Sequence, residues 1–452
     1  MTLSLRERIQ GVPAALQDQA ELNAVITDTS AQALGGLDAA PEGPLAGLLL
    51  GIKDNLNFAG TATSCASRTL EGYISTYTAT AVRRLLDAGG QIVVKTNMDE
   101  FAMGSSTEYS CFGPTRNPHD PELVPGGSSG GSAVAVATEL VDAALGSDTG
   151  GSVRQPAAFC GIFGLKPTYG RVSRFGLVAF ASSFDQIGVF ARNTAMASTV
   201  YQTIAGHDAA DSTSSTEPVK PFDYDEHLAR SLKVGLFPDA ELAGTDPQIM
   251  DRYNALIKFL KGKGLPVAQI EMPHTRHGIA AYYVLTTAEA SSNLARFDGI
   301  RYGRRLQEKP DLESLYRGTR SDGFGPEVQR RIMLGTYVLS AGYMDKYYIQ
   351  AQRVRRSIQE DYKAAFSEVD ILLTPTTPTF PFLIGSQTDD PMSMYLSDIF
   401  TVPMSLAGVP SMSIPVGNGN NNLPIGLQLT ANYFGEDAIF QLSQLIENQF
   451  SA

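Results

Sequence analysis

Two serine clusters flanked by glycine carry the residues best suited to covalent chemistry: Gly126-Gly127-Ser128-Ser129-Gly130-Gly131-Ser132 and Ser147-Asp148-Thr149-Gly150-Gly151-Ser152. Glycine tolerates positive φ and lets backbone amides approach a ligand closely. A serine behind two glycines therefore has free N–H groups beside its Oγ, which is what an oxyanion hole requires. Eleven of the chain's 43 glycines fall between Gly104 and Gly164. That density points to a site built from main chain, although a set of tight turns would also produce it. A serine is weak at its own pKa and needs a base. No histidine lies near either cluster in a recognisable motif. A lysine can serve instead if it is desolvated at the end of a buried strand, where its pKa falls. Lys53 and Lys95 both follow short apolar runs. The pattern alone leaves the choice between them open, and either could be a surface lysine capping a strand.

Other chemistries find less support. Of the five histidines, only His274 and His277 are close in sequence, and no carboxylate or cysteine cluster joins them at ligand spacing. They are expected in a surface loop, with no metal. Cys65, Cys111 and Cys160 form no C-x-x-C pair, and each is expected to be a small buried residue. Gly126 and Gly131 stand at the interval of a phosphate-binding loop, but Ser132 and Ala133 follow where lysine and serine or threonine are needed. A G-x-G-x-x-G fingerprint is absent too, so the nucleotide reading fails.

Composition narrows the class further. The chain has 452 residues, with 47 acidic against 35 basic and a net charge of −12. That balance disfavours a dedicated nucleic-acid binder, which rests on a basic footprint. With 18% charged and 43% hydrophobic residues it is a globular chain. Its longest apolar stretches, such as residues 45–52, are too short to span a bilayer. Residues 1–10 are polar and lack a signal-peptide core. Three cysteines fit a reducing cytoplasm, where the protein is expected.

These residues need elements to hold them. Residues 14–34 are helix-permissive, and residues 35–43 break that helix. Residues 48–52 read as a buried strand, 80–88 as a helix closed by Gly89, and 91–94 as a second buried strand, which is a βαβ pattern. Residues 132–144 have the small apolar composition of a helix packed on a sheet. The alternation continues over 185–209, and the polar run 208–217 reads as a surface loop. A strand is expected at 233–237. Asp246 and Pro247 then open a helix as N-cap and first residue. Its apolar face is Ile249, Tyr253, Leu256, Ile257 and Leu260, and a strand follows at 267–270. Residues 280–366 are mainly helical. Strands return at 371–374, 411–416 and 425–430, before a closing helix at 438–449. Resumption of the α/β pattern after the helical stretch predicts one α/β body with a helical insertion.

Several motifs then coincide. Gly51-Ile52-Lys53-Asp54-Asn55, the first serine cluster, and Gly146-Ser147-Asp148-Thr149-Gly150-Gly151-Ser152-Val153-Arg154-Gln155-Pro156-Ala157 together resemble the amidase signature family, in order and at its spacing. Three more stretches resemble, within that family, the glutamine-hydrolysing subunits of tRNA-dependent amidotransferases. They are residues 95–108 from Lys95 to Glu108, 166–174 from Lys166 to Arg174, and 288–296 from Ala288 to Arg296. The resemblance runs from about Gly51 to the C-terminus. It implies an α/β/α sandwich around a central mixed β-sheet, as a single domain over residues 1–452. It implies a Ser–cisSer–Lys triad with Lys53 as base, Ser128 as bridging serine after a cis bond from Gly127, and Ser152 as nucleophile. Thr149, Gly150, Gly151 and Ser152 would supply the oxyanion-hole amides, and Lys95 falls outside the triad. Arg330-Arg331-Ile332-Met333-Leu334-Gly335 implies an arginine for the substrate α-carboxylate, placed at Arg331 with Arg330 as the other choice. Ser397-Asp398-Ile399 implies Asp398 for the α-ammonium. Without the resemblance, each would read as an ordinary helix-surface ion pair.

The implied function is a glutaminase subunit that holds no cofactor of its own. Its ammonia would pass to a B subunit that uses ATP and Mg²⁺ to activate misacylated tRNA, with a small C subunit stabilising the pair. Tyr109, Cys111 and His119 depart from the subunit's pattern, and its first N-terminal helix is expected to be reduced or missing. Two other readings stay open. One is a free-standing amidase acting on another small amide, against which the Arg331 and Asp398 segments argue. The other is a non-catalytic assembly role, against which the intact Lys53, Ser128 and Ser152 argue.

Overall fold

The computed structural model describes residues 3–37, 41–238, 241–306, 311–387 and 391–450. Among them, eleven strands join in one mixed sheet. In chain order they are β1 (Val25–Asp28), β2 (Leu49–Lys53), β3 (Gln91–Thr96), β4 (Ala143–Asp148), β5 (Phe163–Lys166), β6 (Gln186–Ala191), β7 (Val234–Leu236), β8 (Val267–Gln269), β9 (Ile371–Pro375), β10 (Ser411–Asn418) and β11 (Pro424–Ala431). Their spatial order is β1-β3-β2-β4-β6-β5-β10-β11-β9-β7-β8. The β3-β2-β4 and β9-β7-β8 groups are parallel, and the other neighbours pair antiparallel. Helices flank this mixed sheet. Strands β2, β4, β5, β6 and β9 are buried along their whole length. Burial on both faces is why β2 and β9 read as continuous apolar runs without alternation.

Local chemistry explains the boundaries. The helix Thr80–Asp87 ends where Gly89 takes φ +90° and donates 2.9 Å to Leu86 O, while Gly90 donates 3.0 Å to Leu85 O. The helix Pro247–Gly262 starts with Asp246 accepting 2.8 Å from the Gln248 amide. Ile249, Tyr253, Leu256 and Leu260 are its buried face, and Ile257 is partly buried against the same core. Between β8 and β9 lie the helices Gly278–Asn293, Leu312–Gly323, Pro326–Val338 and Gln350–Ala365, the helical segment that the sequence predicts, with residues 307–310 outside the described residues.

Two expectations need correction. Residues 14–34 are not one helix. The first helix is Leu5–Asp18, 14 residues opened by a capping box between Ser4 and Glu7. The β-branched Val25-Ile26-Thr27 then pairs with β3 as an edge strand, and a short helix Ser30–Gly35 follows. Pairing with a waiting sheet edge overrides helix-permissive composition. Of the expected break at 35–43, residues 38–40 lie outside the described residues. The helix placed at 132–144 is Gly130–Ala137, and Ala143 and Ala144 open β4 instead. A short run of small apolar residues suits either element, and periodicity cannot separate them. The polar run 208–217 is a surface loop as expected, anchored where Asp208 accepts 2.6 Å hydrogen bonds from both Thr80 and Ser173.

Candidate active site

Lys53 is the last residue of β2 and Asp148 the last of β4, adjacent parallel strands with Ile52 level with Leu145. The site opens at their carboxyl ends, where loops leave a parallel sheet. Lys53 is fully buried. Its Nζ lies 2.7 Å from Ser128 Oγ, 2.8 Å from Ser129 Oγ and 3.0 Å from Ser147 Oγ. Among the described residues, no carboxylate contacts it. Burial therefore dominates and lowers its pKa to about 7, against weaker opposing fields from Asp99, Asp148 and Asp185. Lys95 has a different environment. Its Nζ is 3.0 Å from Asp54 Oδ1 with both side chains fully buried, and it also donates to Thr63 Oγ1 and Ala62 O. Of the two lysines that the pattern left open, only Lys53 meets the serine clusters.

The peptide bond Gly127–Ser128 is cis. Asp99 fits closely against it: a Cβ on Gly127 would overlap the Asp99 carboxylate. That carboxylate accepts the amides of Thr107 at 2.9 Å and Tyr109 at 3.1 Å, and burial raises its pKa to about 6. From the other side, Gly127 N donates 2.9 Å to Gln155 Oε1.

The turn carrying Ser152 is clamped at its base. Arg154 forks onto Asp148 at 3.0 and 2.9 Å with both side chains fully buried, and the Val153 amide donates 3.1 Å to the same carboxylate. Burial alone would raise the Asp148 pKa, but the Arg154 charge and hydrogen bonds hold it below the ordinary value. Thr149 Oγ1 donates 2.7 Å to Asp185, whose pKa burial pushes up to about 6. Among the described residues, the amides of Thr149, Gly150, Gly151 and Ser152 find no protein acceptor. A Cβ on Gly150 would lie 2.6 Å from the Tyr282 hydroxyl, and one on Gly151 (φ +153°) would overlap Thr401. Only glycine fits at either position. Ser152 is 7% exposed and Ser128 is fully buried; Lys53 also donates to Ser147, at the head of the stretch that leads into the Ser152 turn.

Two more residues singled out by motif are buried charges. Arg331, on the helix Pro326–Val338, is 3% exposed, and its Nε donates 2.7 Å to Glu327. Its guanidinium carbon lies 5.6, 5.3 and 5.9 Å from the ring centroids of Phe180, Tyr283 and Tyr395. Its terminal nitrogens donate to no protein acceptor among the described residues, so the fork is free. Arg330 is 40% exposed, pairs with Glu327 and also hydrogen-bonds Tyr395, whereas Arg331 is buried with unpaired terminal nitrogens, which favours Arg331 of the two. Asp398 is 5% exposed. Its Oδ2 accepts 2.5 Å from Ser105 Oγ, while Oδ1 is buried without a hydrogen-bond partner. Burial raises its pKa to about 7. Asp398 thus keeps an unpaired carboxylate oxygen and Arg331 unpaired terminal nitrogens. Arg331 lies over the Tyr283 ring, and both charges act on the buried Tyr282 and Tyr283 hydroxyls.

Of the residues singled out by motif, the structure joins Lys53 to Ser128, sets Asp398 close to Gly151 and Tyr282 close to Gly150, and lays Arg331 over the Tyr283 ring. Sequence reasoning missed Asp99, Asp185 and Glu327, and gave Ser105 and Gln155 no role. Asp99, Ser105 and Gln155 stand inside stretches that carried the resemblance, and that placement was the available signal. Cys111 corrects its expectation: it is exposed, whereas Cys65 and Cys160 are buried. His274 sits beside a short turn with Nδ1 2.8 Å from Asp361. Among the described residues, no group of three histidine, cysteine, aspartate or glutamate side chains could hold a metal. No helix there is long and apolar enough to cross a membrane.

Known proteins share this architecture. The Amidase family profile matches residues 4–440. The A subunit of the glutamyl-tRNA(Gln) amidotransferase of Synechococcus sp. (strain RCC307) is 50% identical over 94% of this chain and 90% of its own length. Its counterpart in Acidobacterium capsulatum is 52% identical over 90% and 85%. The crystal structure of the Thermotoga maritima protein of the same name superposes with a TM-score of 0.82 and 40% identity, over 99% of this chain and 95% of that one. A sequence match of this length, with a superposition over almost the whole chain, means that the chain belongs to the amidase family.

Proposed function

We propose that this chain is the glutamine-hydrolysing A subunit of a tRNA-dependent amidotransferase, acting as one amidase-signature domain. The carrying observation is a pair of buried charged groups with polar atoms left over, the terminal nitrogens of Glu327-paired Arg331 and the orphan Asp398 Oδ1 close to Gly151, in a chain that also holds the Lys53–Ser128 contact. Similarity at about half identity to proteins of that name supports it. In this reading Arg331 binds the glutamine α-carboxylate and Asp398 the α-ammonium, which lays the side-chain amide against Ser152. Ser152 Oγ attacks the amide carbon. Its proton passes to Ser128, whose own proton passes to neutral Lys53, while the amides of residues 149–152 hold the oxyanion. The relay returns a proton to the departing nitrogen, releasing ammonia and leaving a glutamyl ester on Ser152. Water then cleaves the ester, so glutamine and water give glutamate and ammonia. The ammonia passes to a B subunit that uses ATP and Mg²⁺ on Glu-tRNA(Gln), Asp-tRNA(Asn) or both, with a C subunit completing a cytoplasmic heterotrimer.

The test compares kcat/KM for glutamine and for an uncharged short amide in Arg331→Ala and Asp398→Ala. Removing one of two desolvated partners leaves the other unpaired, at about 2–5 kcal/mol, or roughly 30- to several-thousand-fold on glutamine. The uncharged amide should lose far less. Equal losses on both substrates would move these residues to a supporting role and favour the free-standing amidase. Glutaminase assays with and without the partner subunits would separate the catalytic readings from an inactive assembly role.

A further inference from the structure

Gln155 is a three-way junction. Its backbone amide donates 2.8 Å to Gly151 O in the turn before Ser152. Its Oε1 accepts from Gly127 N at 2.9 Å, next to the cis bond into Ser128. Its Nε2 donates 2.8 Å to Ser105 O. The amide orientation is unambiguous, because Gly127 offers only a donor there and Ser105 only an acceptor. Ser105 in turn donates through Oγ to Asp398 Oδ2 at 2.5 Å. A continuous buried chain therefore runs Asp398–Ser105–Gln155–Gly127, with Gln155 0% and Ser105 4% exposed. Asp398 also reaches the nucleophile turn directly: its Oδ1 would lie 3.2 Å from a Cβ on Gly151.

We propose that Ser105 and Gln155 are positioning residues that couple occupancy of Asp398 by the substrate ammonium to alignment of the Ser128 and Ser152 segments. The proposal rests on the glutamine reading given above. Its physical basis is the state of Asp398. In the empty site its carboxylate is buried with one oxygen unpaired, and burial favours the neutral form. An ammonium at Oδ1 fixes the negative charge, which turns the Ser105 contact into a charge-assisted hydrogen bond and tightens the links behind it. The amino group of glutamine would then raise turnover as well as affinity, and an amide without one would be bound to a less ordered relay. Discrimination of this kind appears in kcat.

The experiment measures kcat and KM for glutamine and for an uncharged short amide with the full-length chain. The variants are Ser105→Ala, Ser105→Thr, Gln155→Met, Asp398→Asn and the double variant Ser105→Ala/Asp398→Asn. Loss of a hydrogen bond to a charged group predicts that Ser105→Ala lowers glutamine kcat about ten- to hundredfold, with KM within about threefold. The loss on glutamine should exceed that on the uncharged amide about tenfold, and Ser105→Thr, which keeps the hydroxyl, should recover most of it. Gln155→Met should hurt both substrates, because it also frees Gly127, and should show the same extra loss on glutamine. The double variant should match Asp398→Asn, since both act through one chain. Equal losses on both substrates, a loss confined to KM, or additive losses in the double variant would overturn the coupling. If Gln155→Met fails to fold, Ser105→Ala and its threonine rescue still decide. A wild-type chain with no preference for glutamine over the uncharged amide would instead sink the glutamine reading, and the coupling with it.

Discussion

Lys53 has to be neutral before it can accept a proton, and its surroundings make that possible near neutrality. Burial without a contacting carboxylate brings its pKa to about 7, so the proposed relay requires the deprotonated form present above that pH. Asp398, raised to about 7 by burial, must be ionised to hold an ammonium, and that form also grows as pH rises. Both requirements act in the same direction. For glutamine, kcat/KM should climb through pH 7 with a limiting slope approaching two below it; for an uncharged amide, which ignores Asp398, the slope should approach one. Asp398→Asn should bring any residual glutamine activity to the shallower slope. A flat profile between pH 5.5 and 8 would remove Lys53 as the titrating base. The relay makes a second demand. Ser152→Ala should lose more than the roughly two to four decades typical of one proton-transfer group, and Lys53→Ala and Ser128→Ala should fall nearly as far. Pairwise combinations should lose little more than the worst single variant. A double variant far below both singles would break the relay into independent parts.

Elements matter through where they bring distant residues together. The helices Gly278–Asn293 and Pro326–Val338 touch at Gly335, where any Cβ would overlap the Thr287 carbonyl. Arg331 lies one turn before Gly335 and Tyr283 one turn before Thr287, so this contact sets the guanidinium over its ring. Gly335→Ala should force the helices apart, at about 1–3 kcal/mol, and raise KM for glutamine well beyond that for an uncharged amide. Thermal melts with both KM values check it, and an unchanged glutamine KM would show that Arg331 does not depend on the crossing. The same geometry explains what was legible beforehand. The serine clusters stood out because their glycines and serines are contiguous, the assignment of Lys53, Ser128 and Ser152 as a triad came from the motif resemblance, and β2, β3 and the helix Thr80–Asp87 were readable because periodicity and caps are local. Ser105 bonds Asp398 across 293 residues, and no local pattern announces that. Edge strand β1 and the four-residue β5 were likewise invisible, since pairing partners far along the chain define both.

At the scale of the molecule, the site is assembled from three parts of the chain: Lys53, Ser128 and Ser152 on one half of the sheet, Arg331 from the helices between β8 and β9, and Asp398 from the segment between β9 and β10. The chain as a whole is acidic, with a net charge of −12. Polyanion binding draws its free energy from cations that displace condensed counterions, and affinity falls steeply with salt in proportion to the phosphates neutralised. A chain with 12 excess negative charges repels such a partner at distances up to a Debye length, about 8 Å at physiological salt. If this protein supplies ammonia while a partner holds the tRNA, the two tasks separate cleanly in a binding assay. The isolated chain should retain no tRNA on a filter at micromolar protein and about 0.15 M salt, where even non-specific binders with basic footprints are half-saturated at roughly 1–100 μM. The assembled complex should bind, with a salt slope set by the partner's lysines and arginines. Tight, steeply salt-dependent binding by this chain alone would mean that a local cluster of its 35 basic residues outweighs the overall charge, and that the chain takes part in holding the acceptor as well as in making ammonia.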